Sequence, residues 1–244
     1  MTIWKHWSVR LLVVPLLVLS ALVIALHESS VDRAMLSLFY DPDTRSFPAR
    51  YHWFFTIVVH EVMKIAVIVV GVVALGVCLA GLGKPRFALQ HRLRAWHRPA
   101  LLVALTIAIG PALVGWLKSI SPRHCPWDLQ LYGGTQPWVS LWDPLPEGAK
   151  PGKCFPGGHA SGGYALVSLW FATRPTHPQL ARKLLAFALA YGTFMGLARC
   201  AMGAHFPSHI CASLVVVWAV CVLLARLVYP AALCAQPANA CKRA

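Results

Sequence analysis

Charge is what this chain has least of. Only 12% of its 244 residues are Asp, Glu, Lys or Arg, against about 25% in soluble domains. Long stretches carry no charge at all, which argues against a water-soluble fold and for an integral membrane protein. Acidic residues are especially scarce, 8 against 22 basic ones, for a formal net charge of +14. No zinc-finger or basic-helix pattern accompanies that excess, so nucleic acid is not the expected partner. Basic loops on one side of a membrane, drawn to anionic head groups, explain it more simply. No C-x-x-C pair occurs among the eight cysteines, which argues against a thiol-oxidising protein. No internal repeat or low-complexity linker divides the chain, so residues 1–244 read as a single all-α membrane domain.

Apolar side chains make up 58% of the sequence. Six segments stand out, near residues 11–26, 57–82, 100–117, 160–173, 184–198 and 210–228. Helices are the expected form, because lipid cannot satisfy open backbone donors and acceptors. The fourth and fifth are short for a crossing of about 20 residues, and their polar ends would then be buried in protein. The first could be a signal peptide. The "VIALHESS" at its outer end offers a poor cleavage site, however, and removal would disturb the charge pattern, so it reads as a span.

With six spans, the basic connections fall on one side. These are Lys5 and Arg10 at the start, Lys84, Arg86, Arg92, Arg94 and Arg98 between the second and third spans, residues 174–183 between the fourth and fifth, and Lys242 and Arg243 at the end. That side is expected to be cytoplasmic, with both termini on it. Residues 30–41 alternate apolar and polar at helical spacing and read as a helix lying on the outer membrane surface. Trp127, Trp138 and Trp142 fit either an aromatic belt or a packed cap.

Three polar clusters fall where spans meet the outer side. They are "KSISPRHCPWD" (118–128), "KCFPGGHASGG" (153–163) and "ARCAMGAHFPSH" (198–209). Together they gather three cations, Lys118, Arg123 and Arg199, and three imidazoles, His159, His205 and His209. Arginine offers a planar donor fork suited to phosphate. Gly157 and Gly158 before a helix start would let an anion approach free N–H groups. Histidine serves as nucleophile or general acid near neutral pH.

In this order the clusters resemble the PAP2 superfamily of membrane lipid phosphatases, whose pattern is K-x6-R-P, then P-S-G-H, then S-R-x5-H-x3-D. The resemblance implies that His205 attacks phosphorus and that His159 protonates the leaving oxygen and then activates water. It implies that Lys118, Arg199 and the backbone at Gly157 and Gly158 hold the phosphoryl oxygens, without a metal or other cofactor. The chain departs from the pattern in four places. Cys125 stands where the first arginine belongs, with Arg123 two residues earlier as a substitute. Gly157 and Ala198 replace serines. His209 replaces the aspartate that would orient His205. Asp128, Asp143 and Glu61 are the carboxylates that could take over that role.

Two further features bear on the site. "HEVMK" (60–64) places His60 and Lys64 on one helix face early in the second span, and ionisable groups there usually face the bundle interior. Lys64 is therefore expected to add to the phosphate pocket, with His60 or Glu61 behind it. Cys125 and Cys154 lie on the outer side, where a disulfide is permitted, with Cys200 as a rival partner. The expectation is a phosphatase in a bacterial inner membrane. Its active site would face the periplasm, and its partner would be a lipid phosphate within the bilayer. A phosphotransferase on the same scaffold, or a protein that binds or transports anionic lipid without chemistry, are the alternatives.

Overall fold

Proline sets where several helices begin. Its fixed φ and missing N–H suit the first helical turn, and Pro15, Pro178 and Pro207 each occupy one. In the computed structural model, which describes residues 9–82 and 88–229, α1 is Val14–Glu28, continuing a π-helical turn at Val9–Val13. A short α2 follows at Val31–Ser37. α3, Met63–Leu82, continues a π-helical stretch at Phe54–Val62, and α4 runs through Ala88–Ile120 with Pro99 and Pro111 inside it. α5 (Gly158–Ala165), α6 (Ser168–Thr173), α7 (Pro178–Ala201) and α8 (Pro207–Val228) complete the order. Among the described residues there is no strand, only isolated bridges at Asp41–Ser46 and Leu129–Gln136.

Five of these helical runs are long and apolar enough to cross a membrane: Arg10–Glu28, Phe54–Leu82, Leu93–Ile120, Pro178–Ala201 and Pro207–Val228. The run at 184–198 is longer than hydropathy alone indicates, because Pro178 starts α7 six residues before the apolar stretch begins. The segment at 160–173 is not one helix but two. At Leu166 and Val167 the backbone tightens to i→i+3 bonds, Leu166 N to Gly163 O and Val167 N to Tyr164 O. Ser168 Oγ also donates back to Ala165 O. A hydroxyl bonding the preceding turn competes with the helix ladder and bends it.

α5 occupies the centre, packed against α4, α7 and α8, while α3 lies along α4 and α1 along α8. Small residues make the close approach possible: a Cβ added to Gly163 would come within 2.6 Å of the Gly192 Cα on α7. Phe171, Leu102, Val114, Val217 and Val222 fill the core.

The short helix expected within 30–41 is α2. One side of it docks on protein, with Asp32 and Leu36 buried, while Val31, Met35, Leu38 and Phe39 are exposed. The Trp-rich loop forms a cap. Trp127 N–H donates to Gly203 O, and Gly152, Lys153 and Cys154 donate to the carbonyls of Pro122, Ser121 and Arg123. Arg50 lies over Trp127 and Arg33 over Trp138, whereas Trp142 is exposed. Cys125 and Cys154 are joined in a disulfide, and Cys200 is free. Lys5, Lys84, Arg86, Lys242 and Arg243, on which the orientation partly rests, lie outside the described residues, as does the Arg92 side chain.

Candidate active site

Four helix ends converge. Lys118 lies in the last turn of α4 and Arg199 in the last turn of α7. His159 is the second residue of α5, His209 is in the first turn of α8, and His205 sits just before α8. Gly203 stops α7 with φ of +70°, the left-handed conformation that ends many helices. Gly203 N–H donates to Cys200 O and Ala204 N–H to Arg199 O. Only residues 202–206 then separate α7 from α8, so Arg199 and His205 must share one end of the bundle. Asp32 secures that turn from a distance. Its Oδ1 accepts the Ser208 N–H at 2.9 Å and its Oδ2 accepts the Ser208 hydroxyl. Burial raises the Asp32 pKa, and the two Ser208 donors oppose the rise.

His205 is 3% exposed. Burial, then the neighbouring His209, Lys118, Arg199 and His159, hold its pKa well below the ordinary 6.5. The ring is therefore neutral at neutral pH, the form in which a histidine can act as a nucleophile. Arg199 donates from Nη1 only to the Met202 sulfur, a weak acceptor, and its buried Nε has no partner. Among the described residues no carboxylate lies within ion-pair distance of Lys118 or Arg199. Two cations without counter-ions beside a neutral imidazole favour the approach of an anion.

The glycines divide the work unequally. Gly157 N–H is already committed to His209 O at 2.9 Å, and its carbonyl accepts from Ser213 Oγ at 2.6 Å. The expected cradle thus begins one residue later, at the first-turn N–H groups of α5, which have no partners within the helix. A Cβ at Gly158 would meet only Lys118 Cδ, at 3.9 Å, so that face is open beside the lysine.

His159 Nε2 lies 3.2 Å from Val59 O. A carbonyl only accepts, so Nε2 carries the proton and Nδ1 holds the lone pair of the neutral ring. His60 stacks on His159 at 4.4 Å and 6°. Glu61 is held between His60 Nδ1 at 2.7 Å and Lys64 Nζ at 2.6 Å. Lys64 therefore pairs with Glu61 and reaches His159 through the field and the stacked ring, not as a free cation.

None of the three carboxylates considered for His205 holds it: Glu61 is taken as described, and the side chains of Asp128 and Asp143 bond neither His205 nor His209. His205 Nδ1 instead faces Cys154 Sγ of the disulfide at 3.5 Å. His209 is fully buried and packs edge-to-face on His205 at 5.8 Å, with the Cys154 backbone beside its ring and no side-chain hydrogen-bond partner. Its contact with His205 is ring against ring, with no hydrogen bond between the two imidazoles. Behind it His27 stacks at 6.3 Å, with Glu28 3.4 Å from His27 Nδ1. Sequence reasoning passed over His27. The available signal was an adjacent His and Glu ending a span in a chain with few acids.

Arg123 stands with His27, not with Lys118 and Arg199. Its Nη2 donates to Leu141 O at 3.2 Å and Asp143 O at 2.7 Å, and burial lowers its pKa. Cys125, Cys154 and His205 bring donor atoms within 4.8 Å of one another, but the two sulfurs are bonded to each other, and metal binding requires thiolates.

The family model described as the PAP2 superfamily matches residues 99–232, more than half of the chain and all three clusters. No curated protein and no solved structure matches the chain.

Proposed function

The chain belongs to the PAP2 superfamily, and from that premise we propose that it is an integral-membrane phosphatase acting on a phosphorylated lipid head group. The observation that carries this reading is the convergence of Lys118, Arg199, His159 and His205, with both cations lacking counter-ions. Phosphoryl transfer depends mainly on positioning and on neutralising the equatorial oxygens. Lys118, Arg199 and the first N–H groups of α5 would do that.

His205 Nδ1 is turned to Cys154, so Nε2 is the attacking nitrogen. It forms a bond to phosphorus as the bond from phosphorus to the lipid oxygen breaks, giving a phosphohistidine. His159 donates the proton that the departing oxygen needs. Bound phosphate supplies the negative charge that lets this buried ring carry a proton. In the second half His159 takes a proton from water, the water oxygen bonds phosphorus, and the bond to Nε2 breaks to release inorganic phosphate. His209 packs His205 in place, and Lys64 acts through Glu61 and His60 on His159.

Counting α5 and α6 together as a broken sixth crossing puts both termini on the cytoplasmic side, and the motif end then faces the periplasm of a bacterial inner membrane. A site at the level of the helix ends suits a substrate arriving sideways from the bilayer. Phosphatidic acid, phosphatidylglycerol phosphate, undecaprenyl pyrophosphate and lipid A phosphates carry the required group. The test is phosphate release by purified protein across these lipids, with a chelator present, beside His205→Ala. Release by the wild type and a loss of at least ~10³-fold in the variant is expected. Equal release by both would remove His205 from the mechanism.

A further inference from the structure

A cavity of about 510 Å³ lies between the outer halves of α1, α4 and α8. Val23 and Ile24 of α1, Leu117 and Ile120 of α4 and Val215 and Val216 of α8 form its walls. Arg123 closes the outer end, next to Phe155 and Pro156. Ile24 and Ile120 are exposed on the side of the bundle, so the slot opens toward the surrounding lipid. Lys118, His159, Arg199 and His205 are not among its lining residues, and Phe155, which lines it, packs on His209 at 5.2 Å.

Arg123 is the unusual member. It is 9% exposed. Two backbone carbonyls fix Nη2, while the buried Nη1 has no partner. Among the described residues no carboxylate comes within ion-pair distance of it, and Asp143 and Glu28 act on it only through their fields. A buried guanidinium usually finds a counter-ion, and a phosphate at this end of the slot would supply one. The slot volume falls within the ~300–1,000 Å³ typical of small-molecule sites. Its apolar walls would be wasted on inorganic phosphate, and a zwitterionic lipid would bring no net negative charge to add to the distant fields of Asp143 and Glu28.

We propose that this groove is a binding site for one anionic phospholipid of the bilayer, with an acyl chain between α1 and α8 and the head-group phosphodiester on Arg123. None of the phosphoryl cluster lines it, though Leu117 and Pro156 are chain neighbours of that cluster, and its occupant is a ligand, not the molecule hydrolysed. It would also mend a thin joint: within α1 only Val23 and His27 are buried in the protein, and the lipid supplies packing that protein does not.

The experiment reconstitutes the full chain in phosphatidylcholine vesicles doped with phosphatidylglycerol that carries a diazirine on one acyl chain. After illumination the labelled peptides are mapped. Phosphatidylglycerol is a phosphodiester, so the readout involves no turnover and stands or falls independently of the phosphatase reading. Expected is labelling of the α1 and α8 walls about tenfold above that from the same diazirine chain on phosphatidylcholine, a discrimination worth about 1.4 kcal/mol. Arg123→Gln should bring it down to the phosphatidylcholine level, and Val216→Trp, which fills the slot, should abolish it with both probes. Equal labelling by the two head groups in wild-type protein would overturn the proposal, even if Arg123→Gln fails to fold. So would unchanged labelling in a folded Arg123→Gln variant, or label that misses these walls.

Discussion

The crossing runs that end in α1 and form α8, Arg10–Glu28 and Pro207–Val228, are neighbours of similar length and nearly equal hydropathy, yet 11% of the most apolar stretch of the first is buried within the protein and 50% of that of the second. Lipid and protein interior are both apolar, so hydropathy cannot tell a helix that faces one from a helix that faces the other. Composition can. α8 carries Ser208, His209, Ser213 and Cys221, all buried, among its valines. α1 exposes Leu17, Val18 and Leu22 to the side of the bundle. The protein spends its few polar groups on the helices that build the site and covers its edge with plain hydrocarbon.

That contrast can be strained at several strengths. The largest effect is expected where α7 and α4 deliver charge to the site: Arg199→Gln or Lys118→Met should lower kcat/KM by ~10²–10³, about 2.7–4 kcal/mol of transition-state stabilisation. A loss under tenfold for either, measured by phosphate release, would mean that cation does not hold the phosphoryl group. Next comes the packing of α8. Ile210 is 4% exposed, so Ile210→Ala should cost about 2–5 kcal/mol of stability, read as a lower unfolding temperature in detergent. Asp32→Ala should cost about 1–3 kcal/mol, because it strands the buried donors of Ser208. A normal unfolding temperature with normal activity would deny Asp32 its role at the α8 start.

The pH profile sharpens the same point for a single side chain. The proposed mechanism uses His205 in its neutral form, and its surroundings hold its pKa below 6.5. Acidification from pH 7.5 to 6 should therefore change kcat/KM by less than about twofold through this group, with the acid limb lower down. The unfolded chain takes up that proton near the ordinary value and the folded chain does not, so stability should fall as pH drops below about 6.5. An acid limb centred at or above 6.5 would contradict the buried, neutral ring. The smallest effect belongs to α1: Leu17 is 66% exposed, and Leu17→Ala should move stability by no more than about 0.5 kcal/mol. A larger cost would mean that α1 packs against something more than lipid.

The parts of the site legible in the sequence are those written at helix ends. Lys118, His159, Arg199 and His205 could be grouped because spans alternate direction and each residue closes or opens one. What escaped were contacts made across long separations. Asp32 reaches Ser208 from 176 positions away, and nothing near Asp32 announces it. His27 is hidden in the same way, since its partners Trp138 and His209 come from the cap and from α8. The commitment of Gly157 N–H to His209 O depends on how α5 meets α8, which spacing does not encode. The break between α5 and α6 hangs on where a serine hydroxyl turns, and an apolar run conceals it.

The central claim is that His205 carries the phosphoryl group. The most direct measurement mixes the protein with lipid labelled at the terminal phosphate, quenches in alkali and maps the label by peptide. The account predicts an alkali-stable, acid-labile label on the peptide containing His205, absent in His205→Ala. Phosphate release that proceeds with no label on that peptide, and that survives His205→Ala, would contradict it.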